Sequence, residues 1–396
     1  MSDSGDFFVE VDCSRLSCSG QRVSGDVCLH HKTDKRIITV MSNGSDSGIK
    51  ANAVASVIAS MIIGYARMDE DMLRAVQTAV GTFARGGRND DMRWAAFTII
   101  DVTTYDGRVR IVEFGTPGTV VMRGDRVVDL PRRREAVKCA DGSKIELLTA
   151  DFVARVEDRI TAYTDGVVRS GSNTRRMPGG WGADGVVDFL VRSVRNDSGV
   201  SAAHLARSVT ECARTNDLFE AKNDMSCCVV YFRRPRKVLV VTGPAFDGDK
   251  DGALAEMVRS FDGNVIVSGG TTARILSREL GRELSVVMRR DVSGLPPESV
   301  MEGCALVTEG VLTLRRVKGL LETMNSSHAD GKGLDARYVR LLLEGDEIDF
   351  VVGTRVNSVH HDPKLPVEIE LRRSVIKDIA RVLENKFMKR VRVTYV

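Results

Sequence analysis

Four short motifs place acids or amides beside glycines, where strands are expected to begin or end. They are Ser24-Gly25-Asp26, Ser42-Asn43-Gly44, Thr164-Asp165-Gly166 and Asn223-Asp224-Met225. Hydrolysis of a phosphate ester by two divalent ions needs oxygen ligands that come from separate strands and converge on one point. Magnesium and manganese prefer carboxylate, carbonyl and water oxygens. The motifs therefore predict a two-metal site that hydrolyses phosphate esters.

Each motif also has a plainer interpretation when it is taken alone. Asn43-Gly44 is a common pair in tight turns, and Asp165-Gly166 is typical of a turn after a strand. An acid such as Asp26, before a strand, is more often solvated than bound to a metal ion. The occurrence of all four motifs in one chain favours the shared site.

The order of these motifs resembles the sporulation branch of the metal-dependent serine/threonine phosphatases (PPM family), the type that includes stage II sporulation protein E (SpoIIE). In that branch Gly-Asp is followed by Ser-Asp-Gly-x-Gly-x-Gly-x-Lys-Ala, Ser-Asp-Gly-Val and Asp-Asp-Met-Thr. The resemblance covers about residues 20–235, and Phe114–Gly118 is similar to the hairpin between the second and third motifs. It implies an α/β (α+β) fold, the PPM-type α-β-β-α sandwich of two antiparallel sheets flanked by helices.

The resemblance also implies a set of metal ligands. Asp26 and Asp165 match ligand carboxylates, Gly44 matches a backbone carbonyl ligand, and Asn43 matches the bridging aspartate. Asn223 and Asp224 match the two aspartates of the last motif. Asp46 stands in the glycine-rich loop where the family usually has glycine.

Asn43 and Asn223 are departures from the family pattern, because an amide coordinates a cation without adding charge. One unit-charge pair at 4 Å is worth about 4 kcal/mol at an effective dielectric near 20. We therefore expect a weakened metal centre. Asp46 is one source of compensation, and Asp224 is a poorer one, since neighbouring residues in a strand point to opposite faces.

Two functions of the first domain remain open at this point, besides the possibility that the C-terminal domain carries the main function and the phosphatase fold only regulates it. The first is a phosphoserine/phosphothreonine protein phosphatase in bacterial signalling, with two Mn²⁺ or Mg²⁺ ions that activate a water molecule and no covalent enzyme intermediate. The second is a pseudophosphatase that binds a phosphoprotein or a partner without catalysis. The helix after Gly48 resembles the element through which relatives are regulated, so a regulatory protein partner is expected there. A homodimer also remains open.

The elements that position the motifs follow from apolar periodicity and turn residues. In the first 235 residues we expect strands near 27–32, 36–40, 95–102, 108–114, 120–123, 126–129, 159–164 and 226–233. We expect helices after Gly48, at 69–83 and at 202–214, with a loop over 85–91. The first helix should turn Val54, Val57, Ile58 and Met61 inward.

A basic, proline-containing break at Arg233–Lys237 predicts a domain boundary, with the phosphatase domain at 1–235 and a smaller α/β domain at 236–396. In the second domain, Gly269, Gly270 and Thr271 lie between a strand and a helix that runs to about Leu280. Such a loop can bind an anion through free N–H groups, or it can be a plain turn. A last helix is expected over Ser374–Phe387.

Composition fits two soluble domains in 396 residues. The net charge of +3, from 57 basic and 54 acidic side chains, gives no case for nucleic acid or an anionic membrane as a partner. The start of the chain lacks a signal-peptide pattern, and the apolar stretch Ala51–Ala66 is interpreted as a buried helix. Eight cysteines without a signal predict reduced thiols in the cytoplasm.

Overall fold

The computed structural model describes residues 7–396 except 34, 45–46, 69–70, 87–94, 139–141, 143, 288–293, 325–330, 355–364 and 388, with backbone alone at 82–86 and 365–369. The chain divides into two compact units, Met1–Arg234 and Pro235–Val396.

The first unit contains two antiparallel sheets. Its strands are β1 Phe8–Leu16, β2 Asp26–Lys32, β3 Arg36–Asn43, β4 Ala96–Thr103, β5 Arg108–Phe114, β6 Thr119–Arg123, β7 Arg126–Val127, β8 Arg133–Lys138, β9 Lys144–Val153, β10 Asp158–Tyr163 and β11 Met225–Arg233. One sheet has the order β1-β11-β10-β6-β7, and the other has the order β2-β3-β4-β5-β9-β8.

Helices cover the outer face of both sheets. They are α1 Ile49–Ala66, α2 Met72–Gly86, α3 Asp165–Arg169, α4 Gly182–Asn196 and α5 Ala202–Asn216. α1 and α2 pack on the six-stranded sheet, and α4 and α5 pack on the five-stranded sheet. A third apolar cluster lies between the sheets. The unit is therefore the α-β-β-α sandwich expected from the resemblance.

The sequence of strand β11 is almost continuously apolar because the strand is buried on both faces. Met225, Cys227 and Val229 face the helices, while Cys228 and Val230 face the opposite sheet. Successive side chains of a strand point to opposite faces, so a central strand between two apolar layers is buried on both sides.

Helix α1 packs through a face made largely of alanine. Its buried residues are Ala51, Ala55, Ile58, Ala59, Ile62 and Ala66. The expected inward position of Val57 is wrong, since that side chain is 47% exposed. Among the described helices, α1 alone is long and apolar enough to cross a membrane, a test that core helices also pass. Its buried face packs on the sheet and on α2, as in a core helix.

The second unit is a doubly wound α/β sheet. Its strands are β12 Lys237–Thr242, β13 Asn264–Ser268, β14 Leu284–Val286, β15 Ser299–Met301, β16 Leu306–Thr308, β17 Glu347–Val352 and β18 Arg390–Tyr395. Their order is β14-β15-β16-β13-β12-β17-β18, and the last five run parallel. Its helices are α6 Asp251–Ser260, α7 Gly270–Leu280, α8 Val311–Thr323, α9 Leu334–Glu344 and α10 Leu365–Phe387. α6 and α7 cover one face, and α8 to α10 cover the other.

Most expected elements are confirmed, with shifted ends. α2 begins at Met72 rather than at 69 and includes Arg85, which the sequence placed in a loop. The last helix begins at Leu365 rather than at Ser374.

Candidate metal centre

The hairpin of β2 and β3 brings the first two motifs together. Asp26 is the first residue of β2 and Asn43 is the last of β3, and the two are directly opposed in the antiparallel register. Opposed residues share one face of the sheet, so both side chains lie at the same end of the hairpin.

Gly44 follows Asn43 at a place that only glycine fits. A Cβ at this position would lie 2.6 Å from the Cα and Cβ atoms of Ala51, in the first turn of α1. The Gly44 N–H donates to the Gly25 carbonyl at 3.3 Å. Helix α1 is thereby packed directly against the loop that follows β3.

Asp165 enters the same region from the other sheet. It is the first residue of the short helix α3 and is separated from β10 by Thr164 alone. Asn43 Nδ2 donates to Asp165 Oδ1 at 3.0 Å, and Arg169 NH1 lies 3.4 Å from Asp165 Oδ2. The amide of Asn43 and the carboxylate of Asp165 are therefore in direct contact.

Asp26 is a buried carboxylate, 2% exposed. The Thr164 hydroxyl donates to its Oδ2 at 3.0 Å, and Thr164 Oγ1 accepts from the Ser226 N–H at 3.0 Å. Burial raises the pKa of Asp26 to about 6, with a further increase from the charges of Asp224 and Asp165. The hydroxyls of Ser226 and Thr164 act in the opposite direction. The site thus contains a carboxylate whose negative charge is poorly compensated.

The last motif lies against the third. A Cβ on Gly166 would be 2.0 Å from the carbonyl oxygen of Asp224 and 3.1 Å from Asn223 Cβ. This close backbone approach places Asn223 beside the start of α3. A side chain at position 166 would separate the two motifs.

Asp224 holds the loop between β1 and β2. Its Oδ1 accepts from the Cys18 N–H and its Oδ2 from the Gly25 N–H, both at 2.8 Å. The carboxylate is buried, and two hydrogen bonds to a charged group make a strong anchor. Asp224 therefore fixes the backbone that leads directly into Asp26.

The structure brings five of the expected site residues to one end of the sandwich: Asp26, Asn43, Gly44, Asp165 and Asn223. Asp224 adjoins them through the loop that it anchors, and Asp46 lies outside the described residues. That these residues hold metal ions stays a prediction. Sequence reasoning included Thr164 in the third motif but assigned it no role, although a hydroxyl residue directly before Asp165 was a signal for a second polar group there.

The glycine loop of the second unit forms the start of α7. Gly269 caps the helix with φ +132°, and its N–H donates to the Thr308 carbonyl at 2.8 Å. Glu309 Oε1 would lie 3.3 Å from a Cβ on Gly270. A carboxylate beside the loop disfavours a second anion there, and anion binding by Gly269, Gly270 and Thr271 stays a prediction.

Comparison with known proteins agrees with the motifs. The family model described as stage II sporulation protein E (SpoIIE) matches residues 33–233. A search of curated proteins gave no match.

Similar solved structures include the PP2C phosphatase domain and a fragment of the regulatory domain of SpoIIE from Bacillus subtilis, at 14% identity and a TM-score of 0.47. That match covers 58% of this chain and 63% of the other, so the present chain spans less than two thirds of it. The RsbU and RsbW domains of a Mycobacterium tuberculosis protein match at 13% identity and a TM-score of 0.48, covering 65% and 68% of the two chains.

Proposed function

Because this chain belongs to the SpoIIE family, we propose that it is a phosphoserine/phosphothreonine protein phosphatase whose two-metal centre is weakened by Asn43 and Asn223. The observation that supports this proposal most directly is the convergence of Asp26, Asn43, Gly44 and Asp165 at one end of the sandwich. Oxygen ligands from separate strands are what a two-metal hydrolase needs.

The residues present fit a divalent cation. The Asp26 carboxylate is buried next to the charges of Asp224 and Asp165, and its pKa is raised to about 6 mainly by burial. A cation would relieve this unfavourable charge. Asp26 and Asp165 would supply carboxylate oxygens, Gly44 a carbonyl oxygen, and Asn43 and Asn223 amide oxygens. Mn²⁺ or Mg²⁺ suits such a donor set and, when bound, supplies a nucleophile at neutral pH and neutralises phosphoryl charge.

The protein's own groups prepare this site. The Thr164 hydroxyl orients the Asp26 carboxylate, and Asp224 holds the preceding loop in place. Asn43 orients Asp165 through its amide hydrogen bond. These contacts keep the oxygen ligands in position, and the hydrogen bond from Thr164 lowers the pKa of Asp26 against the larger, opposite effect of burial.

Restoring both carboxylates tests the proposal. The double variant Asn43→Asp/Asn223→Asp should bind Mn²⁺ at least about tenfold more tightly, because each added charge contributes up to about 4 kcal/mol at short range. It should also release phosphate faster from a phosphoserine peptide. Asn264→Asp, an exposed substitution in the second unit, is the matched control and should change neither quantity. A folded double variant that stays inert at saturating Mn²⁺ would refute the phosphatase proposal.

The hydrogen bond from Asn43 to Asp165 favours a second function, a catalytically inactive pseudophosphatase. An amide N–H that satisfies a carboxylate takes over part of the role of a cation. Under this alternative the site binds a phosphoprotein without hydrolysis. Calorimetry with a phosphoserine peptide and its unphosphorylated form, in the presence of EDTA, distinguishes the two functions, since only the pseudophosphatase should bind the phosphorylated form without metal.

For either function we propose a regulatory protein partner that contacts α1 and a location in the cytoplasm. Ile49 and Val57 expose apolar surface on this helix, at 75% and 47%. Crosslinking from cysteine substitutions at these two positions would identify such a partner.

A further inference from the structure

Three cysteines from separate strands meet between the two sheets of the first unit. Cys13 in β1 is directly opposed to Cys228 in β11, and Cys28 reaches them from β2 of the other sheet. Their sulfur atoms all lie within 4.8 Å of one another, and Cys13 and Cys28 form a disulfide with their Cα atoms 6.7 Å apart. The expectation that all thiols are reduced is thus wrong for this pair.

This pair differs from the other cysteines described. Cys18, Cys212, Cys227, Cys228 and Cys304 are free thiols, and Cys139 lies outside the described residues. Cys13 and Cys28 are half-buried, so small oxidants and reductants can reach them. Cys228 is fully buried, and burial raises the pKa of its thiol, which keeps this third sulfur unreactive.

The disulfide lies close to the candidate metal centre, because Cys28 and Asp26 belong to the same strand. Cys28 is two residues after Asp26 and shares its face of β2, as residues i and i+2 do in any strand. Cys13 and Cys28 also enclose the loop between β1 and β2, whose ends Asp224 anchors at Cys18 and Gly25. A bond between them therefore ties this loop, and the strand that begins with Asp26, to the opposite sheet.

We propose that Cys13 and Cys28 are a reversible redox site, oxidised by hydroperoxides, whose disulfide holds Asp26 in position for cation binding. One thiol attacks the hydroperoxide and breaks its O–O bond, which gives a sulfenic acid and an alcohol, or water when the oxidant is hydrogen peroxide. The second thiol attacks the sulfenic sulfur, forms the S–S bond and releases water. Two electrons and two protons pass from the thiols to the peroxide. A dithiol reverses the change.

Peptide mapping of the full chain tests the modification by itself. The protein is reduced, freed of reductant, treated with hydrogen peroxide, alkylated and digested with trypsin. Cys13 lies in fragment 1–15, Cys28 in 23–32 and Cys228 in 223–233. The expected product joins 1–15 to 23–32 and disappears with dithiothreitol. Cys212→Ser, a half-buried cysteine on α5, is the matched control and should leave this product unchanged.

Three results would overturn the modification: no joined peptide, a joined peptide that contains 223–233, or a reduced chain that retains zinc on all three sulfurs. The second half of the proposal, that the disulfide holds Asp26 in position for cation binding, rests on the proposed function and is tested by a separate measurement. Calorimetry should show Mn²⁺ binding about threefold tighter in the oxidised chain, since preorganised ligands bind more strongly. Equal Mn²⁺ affinity in the oxidised and reduced states would refute the coupling. The absence of Mn²⁺ binding in either state would refute the proposed function, without affecting the conclusion drawn from peptide mapping.

Discussion

Replacement of Asp26 by asparagine should stabilise the metal-free protein at neutral pH. The carboxylate is buried, and its pKa is raised from 3.8 to about 6, chiefly by burial. A shift of about 2 units corresponds to about 3 kcal/mol of differential interaction between the two protonation states. Asparagine is close to isosteric and uncharged, and its carbonyl can still accept the hydrogen bond from Thr164.

The sign of the pH dependence follows from the direction of this shift. The folded chain binds the proton of Asp26 more tightly than the unfolded chain. The free-energy penalty that Asp26 imposes on folding is therefore smallest below about pH 4. The penalty grows as pH rises through the folded-state pKa near 6 and is complete above about pH 7. The stability difference between Asp26→Asn and the parent chain should therefore grow by up to about 3 kcal/mol between pH 4 and pH 7.5.

Urea unfolding in EDTA, followed by tryptophan fluorescence, measures this difference. Both tryptophans, Trp94 and Trp181, belong to the first unit, so the signal reports on that unit in the intact chain. Asp188→Asn, an exposed change on α4, is the control. Addition of Mn²⁺ should stabilise the parent chain and leave Asp26→Asn unaffected. A difference that does not vary with pH, or a variant less stable at every pH, would refute the reasoning.

Three further changes probe the packing of the centre. Asn43→Asp should destabilise the metal-free chain by up to about 4 kcal/mol, because it replaces the hydrogen bond to Asp165 with a contact between like charges. In a thermal melt, Mn²⁺ should reverse this loss of stability. Asp224→Asn can accept only one of the two backbone hydrogen bonds, which should lower stability by about 2 kcal/mol and speed amide hydrogen exchange in residues 18–25. Unchanged exchange would contradict the role of Asp224 in holding this loop. Gly166→Ala should lower the melting temperature strongly by moving the Asp224 carbonyl, whereas Gly179→Ala, where a Cβ meets nothing within 4 Å, should not.

The sequence was informative where local pattern decides structure. Turn residues and apolar runs located most strands of the first unit, and the motif order indicated which strand ends converge. The inward face of α1 was predicted correctly at Ile58, which is buried, and at Val54 and Met61, which pack against the same cluster, but not at Val57. The alanines Ala51, Ala55 and Ala59 are also buried on this face, and their small side chains allow closer packing.

Features that depend on distant pairing could not be predicted. Most residues of strand β1 are half-exposed, so the strand lacks a clear alternation of buried and exposed positions. It is defined by its pairing with β11, about 200 residues later. The contact of Cys13 with Cys28 depends on that pairing and on the stacking of the sheets. The two hydrogen bonds of Asp224 to Cys18 and Gly25 likewise join residues about 200 positions apart. No local pattern records such contacts.

The anchor formed by Asp224 has a consequence for the order in which the protein is made. Among the described strands, β1 pairs with β11 alone, and the loop before Asp26 is held by Asp224, directly before β11. During synthesis, both must wait until about 200 further residues have left the ribosome. Contacts of such high sequence separation form late and slowly. Until then β1 is an unpaired strand, so nascent chains that end before residue 225 should lack an ordered metal centre and should engage chaperones.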